Sequence, residues 1–302
     1  MTPTCCLVVN PAAGGGRATR LLPEVRGVLE SAGVRHEVHA SASLEHATEL
    51  AVAAAGRGDV AVAFGGDGMV GALAGAVAGA GGVFGIIPAG RGNDFARTLG
   101  IPFDVGAAAR RLADGRPRSV DLIGVGRTGA AETIVAGSVY LGIPAVAAQI
   151  AVRAKVPPGK LAYPVAALRA VAGWRTTTFR LELDGGDTRE FAGGAVVVAN
   201  SRYFGAGMMV APHADPEDGV LDVVFIRGTS KIAMIHALTK IKKGTHVSMS
   251  PVGTARAREV TVTVGRAMPG GADGEALPCA GPLDAGSPLR IRALPRALRM
   301  IG

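Results

Sequence analysis

The sequence predicts an α/β protein in which an N-terminal domain with a parallel, doubly wound sheet precedes a C-terminal antiparallel β-sandwich domain. Through the first 120 residues, short apolar runs alternate with helix-length segments, as in β-α-β units. Runs such as Val60–Phe64 are apolar at every position, which is typical of parallel strands buried on both faces. After about residue 124 the pattern is strand-rich and irregularly spaced, which favours an antiparallel domain. A length of 302 residues suits two domains.

The elements of the first domain are predicted from this alternation. The expected strands are Cys5–Val9, Val34–Val38, Val60–Phe64, Val83–Ile87 and Ser119–Ile123. The expected helices between them cover about 19–32, 45–55, 69–79 and 105–114. In such a sheet the loops at the carboxyl ends of the strands gather at one edge, where ligands bind.

The second domain is predicted to start near the glycines of residues 124–130. Thr176–Leu183 and Glu190–Val198 are expected to form a hairpin across Asp184-Gly185-Gly186-Asp187. Further strands are expected at Val220–Ile226, Glu259–Val264 and Leu289–Ala293, and helices at about 161–172 and 230–243.

Composition narrows the class of protein. Hydrophobic residues make up 48% and charged residues 19%, which excludes a disordered chain. Cys5, Cys6 and Cys279 cannot build a disulfide framework or a zinc site, and this suits the reducing cytoplasm. A net charge of +8 favours an anionic partner such as a nucleotide, a nucleic acid or an acidic membrane, although a composition bias explains it equally well. Few, scattered aromatic residues argue against nucleic acid.

One uncharged stretch, Gly68–Gly90, has the length of a membrane span. It is crowded with glycine and contains Pro88, so we interpret it as a buried helix and strand of the first domain. The protein is therefore expected to be soluble.

Three glycine-rich loops follow predicted strands of the first domain. Loop 1 covers Asn10–Arg17, loop 2 covers Gly65–Gly68, and loop 3 covers Pro88–Phe95. Glycine lets the backbone approach a ligand closely, and the amides at the start of a following helix point at negative charge. Three such loops in one half-domain predict a phosphate-binding edge.

The ligand is not expected to be a bare dinucleotide. No P-loop motif is present, and Gly66–Gly71 matches G-x-G-x-x-G without the acidic residue about 20 positions later that this motif requires. Asp67, inside the predicted glycine turn, would repel a bare pyrophosphate. It is suited to Mg²⁺ between itself and the phosphates, or to accepting a proton from an attacking hydroxyl. The pattern therefore indicates phosphoryl transfer.

The motifs in this order resemble those of the diacylglycerol kinase catalytic family, the soluble bacterial lipid kinases related to sphingosine kinases. The Gly92–Arg97 segment is specific, whereas Gly65–Gly68 alone also occurs in NAD kinases and phosphofructokinases. The resemblance covers nearly the whole chain through Asn10-Pro11, Gly65–Gly68, Gly92–Pro102, Val120–Leu122, Ala199–Ser201, Gly205–Met208, Ala211-Pro212, Asp218–Asp222 and Asp273–Glu275.

This resemblance implies an ATP-dependent lipid kinase that transfers the γ-phosphoryl group to a lipid hydroxyl, with diacylglycerol as the first candidate and phosphatidate as product. It implies a nucleotide-binding domain at 1–123, to which 293–302 returns, and a β-rich lipid-binding domain at 124–292, with catalysis between them. The residues that it assigns to ATP are Asn10, Gly14, Arg17, Gly65, Gly66, Gly68, Gly92 and Asn93.

The resemblance also implies catalytic roles. Asp67 would act at the transfer centre, Asp94 and Asp121 would order it, and Glu275 would come from the second domain. We favour Glu275 as general base and Asp67 as the carboxylate on the Mg²⁺ side, with the reverse assignment open. The resemblance further implies a structural Mg²⁺ site at Asp215, Asp218 and Val220.

Several positions depart from the family pattern and keep alternatives open. Met69, Gly71 and Ala72 replace the usual Thr, Asn and Glu, and Arg91 replaces a Thr. A related lipid acceptor, an NAD kinase-like enzyme and a non-catalytic sensor of lipid or nucleotide are the alternatives. The expected location is the cytoplasm, with peripheral association at the membrane surface that holds the lipid substrate, and homodimer formation is left open.

Overall fold

The computed structural model describes residues 4–127, 129–153, 162–228, 230–277 and 283–302. Cys279 and the first residue of the helix predicted at 161–172 lie outside the described residues. The chain divides into two compact units. Unit 1 comprises Met1–Leu122 and Pro295–Gly302, and unit 2 comprises Ile123–Leu294.

Unit 1 is built from alternating strands and helices. In chain order these are β1 Cys5–Val9, α1 Arg17–Ser31, β2 His36–Ala40, α2 Leu44–Gly56, β3 Val60–Gly65, α3 Asp67–Gly79, β4 Val83–Pro88, α4 Asp94–Thr98 and α5 Val105–Asp114. The strand β5, Pro117–Gly126, continues into unit 2.

The sheet of unit 1 is parallel, with the strand order β2-β1-β3-β4. The end of β17 (Leu289–Ile301) adds a fifth parallel strand beside β4, where Met300 lies opposite Phe84. Helices α1 and α5 pack together, as do α2 and α3. The strands β1 and β3 are buried at every position, as their continuous apolar runs predict.

The second strand lies two residues later than predicted, at His36–Ala40 instead of Val34–Val38. The N–H of Val34 donates to the carbonyl of Leu29, so Val34 belongs to the turn that closes α1. β2 is the edge strand, and its residues are half-buried or exposed. An edge strand does not need to be apolar, so a search for apolar residues does not locate its ends correctly.

Unit 2 contains the other elements in two groups. Its first part holds β6 Thr133–Val135, β7 Ser138–Gly142, α6 Ile143–Arg153, α7 Ala162–Gly173, β8 Thr177–Leu183, β9 Asp187–Ala199, β10 Tyr203–Phe204 and β11 Met208–Met209. Its second part holds β12 Leu221–Arg227, α8 Lys231–Ile241, β13 Val252–Ala257, β14 Glu259–Val264, β15 Gly270–Ala272, β16 Glu275–Ala276 and the start of β17. The sequence patterns did not predict α6 or the strands β6, β7, β10, β11, β13, β15 and β16.

The long strand β9 organises the antiparallel sheet of unit 2. Its first half pairs with β8 in the predicted hairpin, and its second half lies between β7 and β12. One hydrophobic core contains Phe179 and Leu181 of β8 together with Val196 and Val198 of β9. The predicted fold class is confirmed: a parallel α/β unit and an antiparallel sandwich-like unit. No helix in the described ranges is long and apolar enough to span a membrane.

Candidate active site

Loop 1 turns tightly between β1 and α1. The side-chain oxygen of Asn10 accepts the N–H of Ala12 at 3.0 Å, and its carbonyl accepts the N–H of Ala13. Gly14 has a φ of 58°, and a Cβ there would lie 2.4 Å from the carbonyl oxygen of Ala89 in loop 3. Gly14 is thus required both for its backbone conformation and for the contact between loops 1 and 3. Arg17, half-buried, begins α1 directly after this loop.

Loops 2 and 3 lie against each other without side chains between them. The carbonyl of Gly65 accepts the N–H groups of Ala89 and Gly90 at 2.8 and 3.1 Å. A Cβ on Gly90 would come within 2.5 Å of the Cα of Gly66. Glycine is the residue that allows two backbones to meet at this distance. Gly68 follows in the first turn of α3, and Gly92 is buried in loop 3.

The carboxylate of Asp67 joins loop 2 to loop 3. Its Oδ2 accepts the N–H of Asn93 at 2.7 Å, and its Oδ1 accepts the N–H of Asp94 at 2.5 Å. Asp67 is the first residue of α3, so the helix begins two residues earlier than predicted and Asp67 lies at its start. Charge-assisted bonds of this kind are short and about twice as strong as neutral ones.

The surroundings of Asp67 have opposing effects on the pKa of its carboxyl. Burial raises the pKa of the Asp67 carboxyl above its usual value, while the N–H groups of Asp94 and Asn93 oppose the rise by favouring the charged form. Asp67 is half-buried. A perturbed carboxyl in a loop cluster is a candidate for binding a cation or a proton.

Asn93 holds loop 3 in its shape. It has a φ of 52°, which asparagine tolerates better than most residues. Its Oδ1 accepts the N–H of Gly90 at 2.9 Å, and its Nδ2 donates to the carbonyl of the same residue at 3.2 Å. With both side-chain atoms bound inside the loop, Asn93 shapes the loop and presents its backbone N–H to Asp67.

The helices that follow loops 1 and 2 begin without a side-chain cap. Gly16 and Gly66 occupy the cap positions of α1 and α3. By contrast, Ser43 caps α2 and Asp104 caps α5, each accepting a backbone N–H. In α1 the N–H of Arg17 donates to the carbonyl of Ala13, and neither α1 nor α3 has a side chain that caps its start. Helix starts without a side-chain cap are typical of phosphate-binding sites.

The two other aspartates to which the family resemblance assigns a role in the first domain differ in setting. Asp94 is half-buried and begins the short helix α4. Asp121 is only 1% exposed, and its Oδ1 accepts the N–H of Arg296 at 2.7 Å. Arg296 has a φ of 55° on β17, so Asp121 fixes an unusual backbone turn of the returning segment. The structure thus gives Asp121 a bond that anchors residues 295–302 within unit 1.

Glu275 lies in unit 2 at the start of β16, and its side chain is exposed. It borders a cavity of about 150 Å³ together with Tyr140, Ala145, Ala148 and Gln149. Most residues that line this cavity are alanine or glycine. The exposed Glu275 carboxylate therefore borders space that no large side chain fills. That is a setting in which a carboxylate can accept a proton from a hydroxyl.

At the predicted structural Mg²⁺ site, the two aspartates also accept backbone N–H groups. Asp215 Oδ1 accepts the N–H of Glu217 at 3.1 Å, and Asp218 Oδ1 accepts the N–H of Val220 at 3.0 Å. The other oxygen of Asp218 is paired with the Arg256 guanidinium. Among the described residues, no three His, Cys, Asp or Glu side chains are grouped to hold a metal. In this arrangement the guanidinium neutralises Asp218, and the Mg²⁺ site at Asp215, Asp218 and Val220 stays a prediction.

Comparison with known proteins identifies the family. Residues 4–125 match the family described as diacylglycerol kinase catalytic domain. Residues 137–302 match the family described as YegS C-terminal NAD kinase beta sandwich-like domain. The chain is 33% identical over 231 residues to the diacylglycerol kinase of Mycobacterium tuberculosis (strain CDC 1551 / Oshkosh), covering 74% of this chain and 71% of that protein. The chain belongs to the diacylglycerol kinase family. It is thus a kinase by family membership.

Solved structures agree with this family at the level of the fold. A diacylglycerol kinase from Bacillus anthracis str. Sterne superposes with a TM-score of 0.74 at 20% identity, covering 99% of this chain and 96% of that one. An NAD kinase from Archaeoglobus fulgidus in complex with ATP gives a TM-score of 0.52 at 11% identity, covering 99% and 94%. At the level of the fold, this chain is therefore similar to both proteins.

Several residues that form key contacts in this kinase have no role in the predictions made from the sequence. Gly90 closes the contact between loops 2 and 3, Arg256 neutralises Asp218, and Asp273 binds three backbone N–H groups. The Asp-Gly pair at 273–274, a strong hairpin-turn signal, could have indicated the last of these. No sequence signal links Arg256 to Asp218, because Arg256 reaches this loop only through the register that places it opposite Asp222 on β12.

Proposed function

We propose that this diacylglycerol kinase family member is an ATP-dependent lipid kinase that phosphorylates a lipid hydroxyl, with diacylglycerol as the first candidate acceptor and phosphatidate as the product. The name of the Mycobacterium tuberculosis relative supports this acceptor. The family match over residues 4–125 supports the kinase chemistry.

The observation that carries the proposal is the joining of loops 2 and 3 by the Asp67 carboxylate. Two N–H bonds hold this carboxylate at the uncapped start of α3, beside the contact between Gly66 and Gly90. Glycine backbones and helix starts without a side-chain cap suit the phosphates of a nucleotide, and the carboxylate suits a cation that accompanies them.

ATP and Mg²⁺ fit the donor groups of unit 1. The backbones of loops 1 to 3 would hold the phosphates, with Arg17 as a nearby cation, and Asp67 with Asp94 would hold the Mg²⁺. When bound, Mg²⁺ supplies charge neutralisation of the transferring phosphoryl group. The protein's own part is to fix the loops in one geometry, because phosphoryl transfer depends on positioning more than on covalent chemistry.

In this proposal Glu275 is the general base of the kinase. Its exposed carboxylate would accept the proton of the lipid hydroxyl as the oxygen attacks phosphorus. Asp67 then serves on the metal side, since its two oxygens already accept N–H groups and its position within loops 2 and 3 is fixed. The reverse assignment, with Asp67 as base, would leave Glu275 dispensable.

The acceptor is tested by incubating the protein with labelled ATP and Mg²⁺ and resolving the products. The acceptors are vesicles that contain diacylglycerol, a bacterial lipid extract, a sphingoid base and NAD. Labelled phosphatidate is the expected product. A labelled product with NAD alone would identify an NAD kinase-like enzyme. No product with any acceptor, despite ATP binding, would identify a sensor and refute the proposal.

The substitution Asp67→Asn tests the site itself. Loss of the charge should reduce turnover by at least about 100-fold, the usual scale for a carboxylate at a reacting centre. The asparagine keeps one acceptor oxygen, so the melting temperature should fall only slightly. Turnover is measured with diacylglycerol vesicles and labelled ATP, and folding is measured by thermal denaturation.

Asp104→Asn is the matched control for this substitution. Asp104 also accepts a backbone N–H in unit 1, at the start of α5. Asparagine caps helices as well as aspartate does, so both stability and turnover should stay near the wild-type values. Wild-type turnover in Asp67→Asn would remove Asp67 from the mechanism.

A further inference from the structure

The carboxylate of Asp273 accepts three backbone N–H groups from one segment of unit 2. Its Oδ2 accepts the N–H of Ala136 at 2.7 Å, and its Oδ1 accepts those of Gly137 and Ser138 at 2.8 and 3.0 Å. The N–H of Asp273 in turn donates to the carbonyl of Ser138 at 3.2 Å. A carboxylate with three such donors is fixed in position, because its charged form is bound from several directions.

The segment that Asp273 binds is itself held by Asn200. The N–H of Asn200 donates to the carbonyl of Gly137 at 2.9 Å, and its Nδ2 donates to the carbonyl of Ala136 at 3.0 Å. Asn200 has no exposed surface. A Cβ on Gly137 would lie 2.9 Å from Asp273 Oδ1, so glycine is needed at this contact. Asn200 and Asp273, far apart in sequence, thus hold the same segment, and both bind Ala136 and Gly137.

Asp273 also forms the turn between β15 and β16. Asp273 and Gly274 have φ values of 48° and 94°, as in a tight hairpin turn. The N–H of Gly274 donates to the Tyr140 hydroxyl at 3.1 Å. Ala272 and Glu275 are paired directly across this turn. The turn is therefore attached at both of its central residues, and Glu275 is the first residue after it.

We propose that Asp273 is a positioning residue that holds the Glu275 carboxylate beside the cavity of about 150 Å³ that Glu275 borders. This inference rests on the proposed function, in which Glu275 is the general base. An exposed side chain on a two-residue strand has little packing of its own, so its placement depends on the turn. Proton transfer from a hydroxyl requires hydrogen-bond distance, and small displacements of the base reduce the rate strongly.

Unit 2 contains a second turn of the same construction that serves as a control. Asp184 and Gly185, between β8 and β9, have φ values of 51° and 69°. The carboxylate of Asp184 accepts the N–H groups of Arg258 and Glu259 at 2.9 and 2.8 Å. This turn carries no residue of the proposed site. Substitution of Asp184 therefore reproduces the loss of a turn carboxylate without the loss of a positioned base.

The experiment compares Asp273→Asn and Asp273→Ala with Asp184→Ala. Both turns require a positive φ at this position. Alanine is strained there to the same extent in either turn, whereas asparagine tolerates the conformation. Both Asp273 variants should lose kcat by at least about 30-fold with an unchanged KM for ATP, since positioning acts on the transfer step. Asp184→Ala should lower the melting temperature but keep kcat within about 2-fold of wild type.

A double variant separates positioning from general damage to the fold. In a Glu275→Gln background, Asp273→Asn should reduce kcat little further, because residues that act as a unit are not additive. A purely structural role predicts the same loss in both backgrounds. Equal kcat values for Asp273→Asn and Asp184→Ala, or a fully additive double variant, would overturn the inference, and so would an active Glu275→Gln enzyme.

Amide hydrogen exchange gives a readout that does not need activity. Asp273→Asn should speed exchange at residues 136–138 and 274, while Asp184→Ala should not. If the wild-type protein phosphorylates no acceptor, the proposed function fails and the positioning role fails with it. If the wild type is active and Asp273→Asn keeps kcat as Asp184→Ala does, the positioning role fails while the proposed function stands.

Discussion

Arg256 lies on β13 directly opposite Asp222 on β12, and its guanidinium contacts both Asp218 and Asp222. Asp222 is only 7% exposed. Burial raises the pKa of the Asp222 carboxyl and the positive charge of Arg256 opposes this rise. The arginine thus already supplies positive charge where the family resemblance predicts Mg²⁺. At the scale of single residues, this pairing allows the predicted structural Mg²⁺ site to be tested.

We expect the melting temperature of the wild-type protein without nucleotide to be the same in EDTA and in Mg²⁺. A ligand that binds only the folded state would raise it. Arg256→Met should destabilise the protein by about 1–3 kcal/mol, because it leaves Asp222 buried without a partner, and Mg²⁺ should restore part of that loss. Thermal denaturation of both proteins, with and without EDTA, measures this.

Arg189→Met is the matched control for Arg256→Met. Arg189 pairs with Asp187, whose side chain is 55% exposed, so its removal should cost less than about 1 kcal/mol. Mg²⁺ should have no effect on this variant. A wild-type protein that melts several degrees lower in EDTA would support the structural Mg²⁺ site and contradict the role given to Arg256.

At the scale of elements, the contact between loops 2 and 3 depends on Gly90. In Gly90→Ala the new Cβ would come within 2.5 Å of Gly66 Cα, so the two loops must separate. We expect at least about a tenfold loss in ATP affinity, because a displacement of about 1 Å is costly in a preorganised site. Binding of a fluorescent ATP analogue, read by anisotropy, measures the loss.

Gly27→Ala is the control within the same unit. Gly27 lies inside α1, where a Cβ would meet nothing within 4 Å. Alanine is the better helix former, so stability should rise by about 0.5–1 kcal/mol with unchanged ATP affinity. Equal ATP affinity in Gly90→Ala and wild type would show that the contact between the loops does not shape the nucleotide site.

The sequence predicts those parts of the site that depend on local chain geometry. Loops 1 to 3 each follow a buried strand, and their glycines and Asp67 lie where backbones meet. The contacts of Asp273 could not be predicted, because Ala136 is 137 positions away and only the pairing of β15 with β7 brings them together. The same holds for Arg256, whose partner follows from the register of β12 with β13.

Element boundaries show the same limit. The apolar residue Val34 indicates a strand, yet the strand begins at His36, because an edge strand need not be apolar. The strand predicted at Leu289–Ala293 continues to Ile301. Its second half carries Arg296 and Arg299, which conceal the buried Leu298 and Met300 from a search for apolar runs.

At the scale of the whole molecule, β17 contributes to both units. Leu289 belongs to the core of unit 2, and Leu298 is fully buried in unit 1. Each unit contains a residue whose signal reports the unfolding of that unit. Trp174, the one tryptophan of the sequence, lies in the core of unit 2. Cys5 lies in the core of unit 1, and burial raises the pKa of its thiol to about 11, so it should not react in the folded protein.

Leu298→Ala and Leu289→Ala should therefore act on different probes. Each substitution should cost about 2–5 kcal/mol in its own core. Leu298→Ala should lower the urea midpoint of thiol exposure, and Leu289→Ala should lower the midpoint of the tryptophan fluorescence change. Both are measured in a Cys279→Ser background, so that the thiols of β1 alone report. Coincident shifts of both probes in both variants would show that the two units unfold as one.

The split composition of unit 1 has a consequence for biosynthesis. Ribosomes make β1 to β4 first, then all of unit 2, and only afterwards residues 295–302. Until those residues emerge, the edge of β4 opposite β3 lacks β17, and the Asp121 carboxylate lacks the N–H of Arg296. An open strand edge on a nascent polypeptide invites wrong pairing with other chains. The unit that carries the glycine loops is therefore completed last and exposes this edge during translation.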